Sequence, residues 1–127
     1  MGVEPFLRAF LDGKIDAANF RHADHVRVGF EILGHHDFPE AAMAFARSLK
    51  QIAARAGAPG KYHETITLAF LSLIAERRAL GGHADFESFA EANPDLMETS
   101  VLKRWYAPER LMSDIARKTF VLPDVPR

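Results

Sequence analysis

Residues 61–74 read K-Y-H-E-T-I-T-L-A-F-L-S-L-I and predict the most hydrophobic helix of this chain. Helical spacing of three and four residues places a set of their side chains along one stripe: His63, Ile66, Thr67, Phe70, Leu71 and Ile74. Beyond Thr67 the stripe is ordinary apolar core, but its N-terminal end carries an imidazole and a hydroxyl. Helix packing alone would favour Leu, Val or Ala at those positions. The segment therefore predicts a place where a polar group is bound.

Glycine and proline residues divide the remainder of the chain into further helices. Apolar spacing and stop signals predict a first helix up to Gly13, a second over residues 22–33 and a third over residues 40–56. The central helix is predicted to start near Tyr62 and to end at Gly81-Gly82. Shorter helices are predicted over residues 85–92, 94–97, 101–106 and 108–116, and only residues 120–122 resemble a strand.

The fold class predicted from these elements is all-α. Because the breaks between the helices are short, antiparallel neighbours are favoured. We expect a compact single-domain helical bundle of about four longer helices plus short C-terminal helices, with residues 1–127 in one domain.

Composition narrows the class of protein further. At 127 residues the chain is long enough to bury a core, and its net charge of −1 offers no basic surface for nucleic acid or an anionic membrane. The absence of Cys excludes a disulfide scaffold and a thiolate metal site. No apolar run approaches the ~20 residues of a membrane span, and the N-terminus lacks a signal-peptide pattern. We therefore expect a cytoplasmic protein whose partner is a small-molecule ligand or substrate; its oligomeric state is not predicted.

Three of the six histidines lie at the beginnings of predicted helices, on faces that are otherwise apolar. His22 and His25 are three residues apart, which places them about 60° apart around a helix and ~4.5 Å apart along it. Together with His63 they would form a three-histidine site for one divalent transition ion, namely zinc, iron, nickel or copper. One open coordination position would accept water or substrate, and Glu64 would act as general base.

Two other interpretations of these histidines stay open. In the first, the chain is a metal-free helical module that binds a small molecule or a protein partner, and the histidines line a polar pocket near Tyr62. In the second, His25 and His63 only form hydrogen bonds within the core. The spacing His-x-x-His is far less diagnostic than H-E-x-x-H, which is absent here together with the other common catalytic motifs. Whether the protein is an enzyme is therefore left undecided.

A few other polar residues are candidates for ligand binding. Tyr62 belongs to the site by its position in the sequence, and Thr67 either lines a pocket or bonds back to the carbonyl of His63. A separate cluster could hold a planar or anionic ligand, or could instead close one end of the bundle: Arg104, Trp105 and Tyr106. The remaining polar positions are expected to be inert or exposed: Thr65, Ser72, His35, His36 and His83.

Four segments of the sequence form a recognisable combination: F-R-H-A-D-H-V-R-V-G-F (20–30), G-K-Y-H-E-T-I-T (60–67), A-N-P-D-L (92–96) and W-Y-A-P-E-R-L (105–111). Together they resemble a family of small, uncharacterised bacterial all-helical proteins with F-x-H-x-x-H and K-Y-H-E-T motifs. The likeness extends over residues 20–124 and brings no activity, substrate or cofactor with it. It implies a stand-alone domain and marks the positions most worth testing: His22, His25, Tyr62, His63, Glu64 and Thr67.

Overall fold

The computed structural model describes residues 4–125, in which the regular structure is helical and no strand occurs. The α-helices are α1 (Pro5–Leu11), α2 (His22–Ile32), α3 (Phe38–Arg55), α4 (Glu64–Gly81), α5 (Phe86–Ala92), α6 (Pro108–Leu111) and α7 (Asp114–Lys118). Short 3₁₀ turns connect them at Ala17–Asn19, Pro59–Lys61, Pro94–Met97 and Thr99–Arg104. The all-α prediction is confirmed, and the strand considered at residues 120–122 is not formed. The first three residues of the predicted first helix lie outside the described residues.

Helix α4 lies at the centre of the bundle and packs against α2, α3 and α7. Two clusters of buried side chains meet at α2 and α4. One joins α1, α2 and α3 to Leu71 of α4, and the other joins Phe70, Leu73 and Ile74 of α4 to α5 and the C-terminal helices. None of the helices within residues 4–125 is long and apolar enough to cross a bilayer.

The close approach of α2 to α4 depends on Gly29. A Cβ atom at this position would lie 2.9 Å from Cδ1 of Ile74 and 3.4 Å from Cδ1 of Leu71. A larger residue would require the side chain of Ile74 to move or the two helices to separate. The glycine therefore brings the helix of His22 and His25 directly against the stripe of α4.

Side-chain caps explain two differences between the predicted and the observed helix boundaries. Helix α4 begins at Glu64, because the backbone N–H of Ile66 donates to Nδ1 of His63, which makes His63 the cap. The single helix predicted over residues 108–116 is wrong, because the hydroxyl of Ser113 accepts from the backbone N–H of Ala116 and starts α7 afresh. At the other end of α4, the predicted stop is confirmed by Gly82, which adopts φ 64°.

Thr65 fastens the C-terminal segment, residues 119–125, to the start of α4. Its hydroxyl donates to the carbonyl of Thr119 at 2.8 Å and accepts from the backbone N–H of Val121 at 3.0 Å. The hydroxyl of Tyr106 donates to the carbonyl of Val121 at 2.9 Å. Thr65 is fully buried, so the expectation that it is inert was wrong.

Replacement of Thr65 by Val should lower the free energy of unfolding by about 2 kcal/mol, because the isosteric side chain removes the hydrogen-bond partner of the Thr119 carbonyl and of the buried N–H of Val121. Urea unfolding would measure the change. Ser72→Ala on the exposed side of α4 is the control and should shift stability by less than ~0.5 kcal/mol. Equal stability of Thr65→Val and the parent would contradict the assigned role.

Candidate ligand cavity

A cavity of ≈550 Å³ lies between α2, α3 and the N-terminal half of α4. Aliphatic and aromatic side chains form most of its wall, including Phe20, Phe45, Leu49, Ile52, Ala53, Ile66, Phe70 and Ile74. The polar part of the wall contains Lys61, Thr99 and five residues singled out in the sequence: His22, His25, Tyr62, His63 and Thr67. The structure thus brings the three predicted histidines to one cavity.

Local folding at the start of α2 places the first two histidines. The backbone N–H of Arg21 donates to the carboxylate of Asp24 at 2.9 Å, which fixes the first turn of α2. His22 and His25 then lie one turn apart, with ring centroids separated by 6.4 Å. Both rings are half-buried among aromatic neighbours, since His22 lies 4.9 Å from Phe70 and His25 lies 4.4 Å from Phe20.

Both ring nitrogens of His63 are used by the protein. Nδ1 accepts the backbone N–H of Ile66 at 3.1 Å, and Nε2 lies 2.6 Å from the carbonyl oxygen of Leu111. Because a carbonyl only accepts, Nε2 must carry the hydrogen. His63 is therefore a buried structural residue that joins α4 to α6, and it contributes only the side of its ring to the cavity.

His22 has one nitrogen left for a ligand. Its Nε2 lies 2.9 Å from the carbonyl oxygen of Leu96 and so donates to it. In the neutral ring Nδ1 is then an acceptor, and within residues 4–125 no group donates to it.

His25 has both ring nitrogens available. Within the part of the chain that the structure describes, neither nitrogen has a hydrogen-bond partner, and neither is sealed inside the protein. Burial lowers the pKa of His25 from 6.5 to about 4; repulsion from His22 adds to this shift and Asp24 opposes it. At neutral pH the ring is uncharged and presents one N–H donor and one acceptor.

Tyr62 and Thr67 lie in the wall, whereas Glu64 does not. The hydroxyl of Tyr62 donates to Oε1 of Glu64 at 2.7 Å, and Lys50 lies 5.2 Å above the ring. Burial raises the pKa of Tyr62 above its ordinary value, and the bond to Glu64 adds to this rise. The carboxylate of Glu64 belongs to a neighbouring groove between α3 and α4, so the structure does not bring the predicted general base to the histidines.

The Arg104, Trp105 and Tyr106 cluster lies elsewhere, along a separate groove of ≈360 Å³. Tyr106 is buried, and the guanidinium of Arg104 lies 5.8 Å above the Trp105 ring and 3.1 Å from Asp95. Asp95 also accepts a two-pronged hydrogen bond from Arg77, which lowers its pKa to about 2. These contacts agree with the interpretation in which the cluster closes one end of the bundle.

The predicted three-histidine metal site does not fit this arrangement. A ligand histidine must offer a nitrogen lone pair to the ion, and His63 has neither nitrogen free. Within residues 4–125, no group of three or more His, Cys, Asp or Glu side chains is placed to hold a metal ion. The divalent ion therefore stays a prediction, and it has no support from the hydrogen bonds of His63.

Sequence patterns found some members of the wall and missed others. The α4 stripe was identified, but Phe45, Ile52 and their neighbours on α3 were expected only as core. Phe20, Lys61 and Thr99 were not predicted as members of the wall; they come from the connections before α2, before α4 and after residue 98. His83, expected to be exposed, is half-buried with its ring 5.9 Å from Phe89.

Comparison of the chain with protein-family models, with curated proteins and with solved structures gave no match. The resemblance based on the four sequence segments therefore stays a prediction. The functional inference for this chain rests on the cavity and its wall.

Proposed function

We propose that this protein is a helical module that binds a small, largely apolar molecule in the cavity between α2, α3 and α4, without need of a metal ion. The observation that carries the proposal is the cavity itself. Its volume of ≈550 Å³ falls within the ~300–1,000 Å³ of small-molecule sites. Such sites combine mostly apolar walls with a few placed polar groups, which describes this wall.

The energetics are those of apolar burial. A ligand that buries about 200 Å² of apolar surface would gain about 5 kcal/mol before the cost of immobilisation. After that cost, apolar burial alone leaves an affinity no tighter than about millimolar. The polar groups of the wall would then contribute to affinity as well as select among ligands.

A substitution that fills the cavity should abolish binding. Ala53 lies in the wall on α3, whereas Ala54, the next residue, is exposed and not part of the wall. With the uncharged dye Nile red, we expect saturable binding to the parent and to Ala54→Phe, and at least about tenfold weaker binding to Ala53→Phe. Fluorescence titration measures all three proteins.

Equal dye binding to Ala53→Phe and Ala54→Phe would place the dye outside the cavity and overturn the proposal. If neither Nile red nor other uncharged apolar dyes bound to the parent, the proposal would also be overturned. Circular dichroism of the two variants controls for loss of structure.

The metal-dependent interpretation can be decided separately. Protein purified without a His-tag and incubated with zinc, iron, nickel or copper ions would be analysed for bound metal, beside His63→Ala and His25→Phe. Because His63 has no free nitrogen, we expect equal and negligible metal in all three proteins. Stoichiometric metal that vanishes in both variants would restore the three-histidine site.

A further inference from the structure

His22 and His25 both line the cavity, and within residues 4–125 Nδ1 of His22 and both ring nitrogens of His25 have no hydrogen-bond partner in the protein. With both rings neutral they present three hydrogen-bonding positions: the acceptor Nδ1 of His22, and one donor and one acceptor on His25. Polar groups in an apolar wall are costly to leave unpaired. A ligand that fits here must therefore supply a donor, and it gains further from supplying an acceptor.

A cationic ligand does not match this wall. Among the described residues, 4–125, no Asp or Glu side chain belongs to the lining. The carboxylates next in sequence to His25 and His63 are used by the protein, since Asp24 accepts from the backbone of Arg21 and Glu64 accepts from Tyr62. A cation in the cavity would lose its hydration without gaining an opposite charge.

An anionic ligand does not match the histidines either. A carboxylate only accepts hydrogen bonds, so it could accept from the N–H of His25 but has no hydrogen to offer the lone pair on Nδ1 of His22. With the pKa of His25 at about 4, protonation of this ring at neutral pH is disfavoured about a thousandfold. The ammonium of Lys61 is exposed, so it stays hydrated and attracts an anion only weakly.

We infer that the ligand of this cavity is an uncharged apolar molecule with a hydroxyl group, an alcohol or a phenol, whose O–H donates to Nδ1 of His22 and whose oxygen accepts from the N–H of His25. The apolar body of the ligand packs against Phe45, Ile52 and Phe70. This inference rests on the proposed function, because it names the ligand class of the same cavity.

Four probes with the same chain length test the inference at about neutral pH. They are 1-octanol, its isomer 1-methoxyheptane, octanoate and octylammonium. The ether retains the acceptor oxygen but cannot donate. Titration of ¹⁵N-labelled protein, followed by amide chemical shifts, gives the affinities and reports which residues respond. We expect 1-octanol to bind about fivefold more tightly than the ether and at least about tenfold more tightly than either charged probe.

The variant His25→Phe extends the test, and Phe20 beside it offers an aromatic contact that Phe retains. We expect this variant to bind both 1-octanol and the ether about fivefold more weakly, because the oxygen of each probe loses the N–H of His25. His36→Gln, at an exposed loop position, should change neither affinity. His25→Leu is the second variant if His25→Phe does not fold.

Failure of the proposed function can be distinguished from failure of this inference. If none of the four probes shifts the amides of the wall, both the proposed function and this inference fail. If the probes bind but octanoate equals or exceeds 1-octanol, the cavity binds ligands and the inference of an uncharged hydroxyl is overturned. Unchanged affinity of both 1-octanol and the ether for His25→Phe would overturn the role of His25.

Discussion

Replacement of His63 by Ala is expected to lower the free energy of unfolding by about 3 kcal/mol or more. The substitution removes the cap of α4, because Ile66 loses the acceptor of its backbone N–H. It also leaves the buried carbonyl of Leu111 without the imidazole that donates to it at 2.6 Å. The two losses add to the cavity left by the ring itself. Urea unfolding followed by circular dichroism measures the change.

His63→Asn separates the two contributions. Asn is a good N-cap but is too short to bridge to α6, so we expect it to recover about 1 kcal/mol relative to His63→Ala. If His63→Ala were as stable as the parent, the two hydrogen bonds would not have the structural role assigned to them. If His63→Asn were no better than Ala, the loss would come from the bond to Leu111 alone.

Acidification is expected to destabilise the protein through His25. Its pKa is 6.5 when unfolded and about 4 in the folded protein, so between these values the unfolded chain binds a proton that the folded chain does not. The free energy of unfolding therefore falls as pH decreases through this window. From about pH 7 to about pH 4.5 the contribution of His25 amounts to roughly 2–3 kcal/mol.

The variant His25→Phe isolates this contribution from that of the carboxylates. Because Phe does not titrate, the stability of the variant relative to the parent should rise by roughly 2–3 kcal/mol from about pH 7 to about pH 4.5. His36→Gln is the matched control, since His36 is exposed. Stability curves of the parent and His25→Phe that run parallel with pH would contradict the lowered pKa.

Periodicity predicted much of the helical fold, and local chemistry explains where it failed. Apolar spacing found α2, α3, α4 and α5 to within about two residues. It did not find the break between α6 and α7, because the apolar positions on either side continue the same pattern. The break depends on the hydroxyl of Ser113, whose capping bond to Ala116 is a local feature of two residues.

The candidate site was predicted with both a location and a chemistry, a divalent ion held by His22, His25 and His63. The three side chains line one cavity, and the ion stays a prediction. The sequence could not say which ring nitrogens were free, because the partners of His63 and His22 are carbonyl groups of Leu111 and Leu96, 48 and 74 residues away along the chain. Every residue has a backbone carbonyl, so a pattern of side chains does not indicate which carbonyl accepts these hydrogen bonds.

Helices α3 and α4 form the two long walls of the cavity and differ in their other contacts. The start of α4 is tied by His63 and Thr65 to α6 and to the C-terminal segment, whereas Leu49 and Ala53 of α3 offer only aliphatic surface. Libraries randomised at the start of α4 would therefore yield mainly unfolded clones. Selection for a new ligand would mainly recover substitutions on α3. There the side chains that shape the cavity can change while the fold is retained.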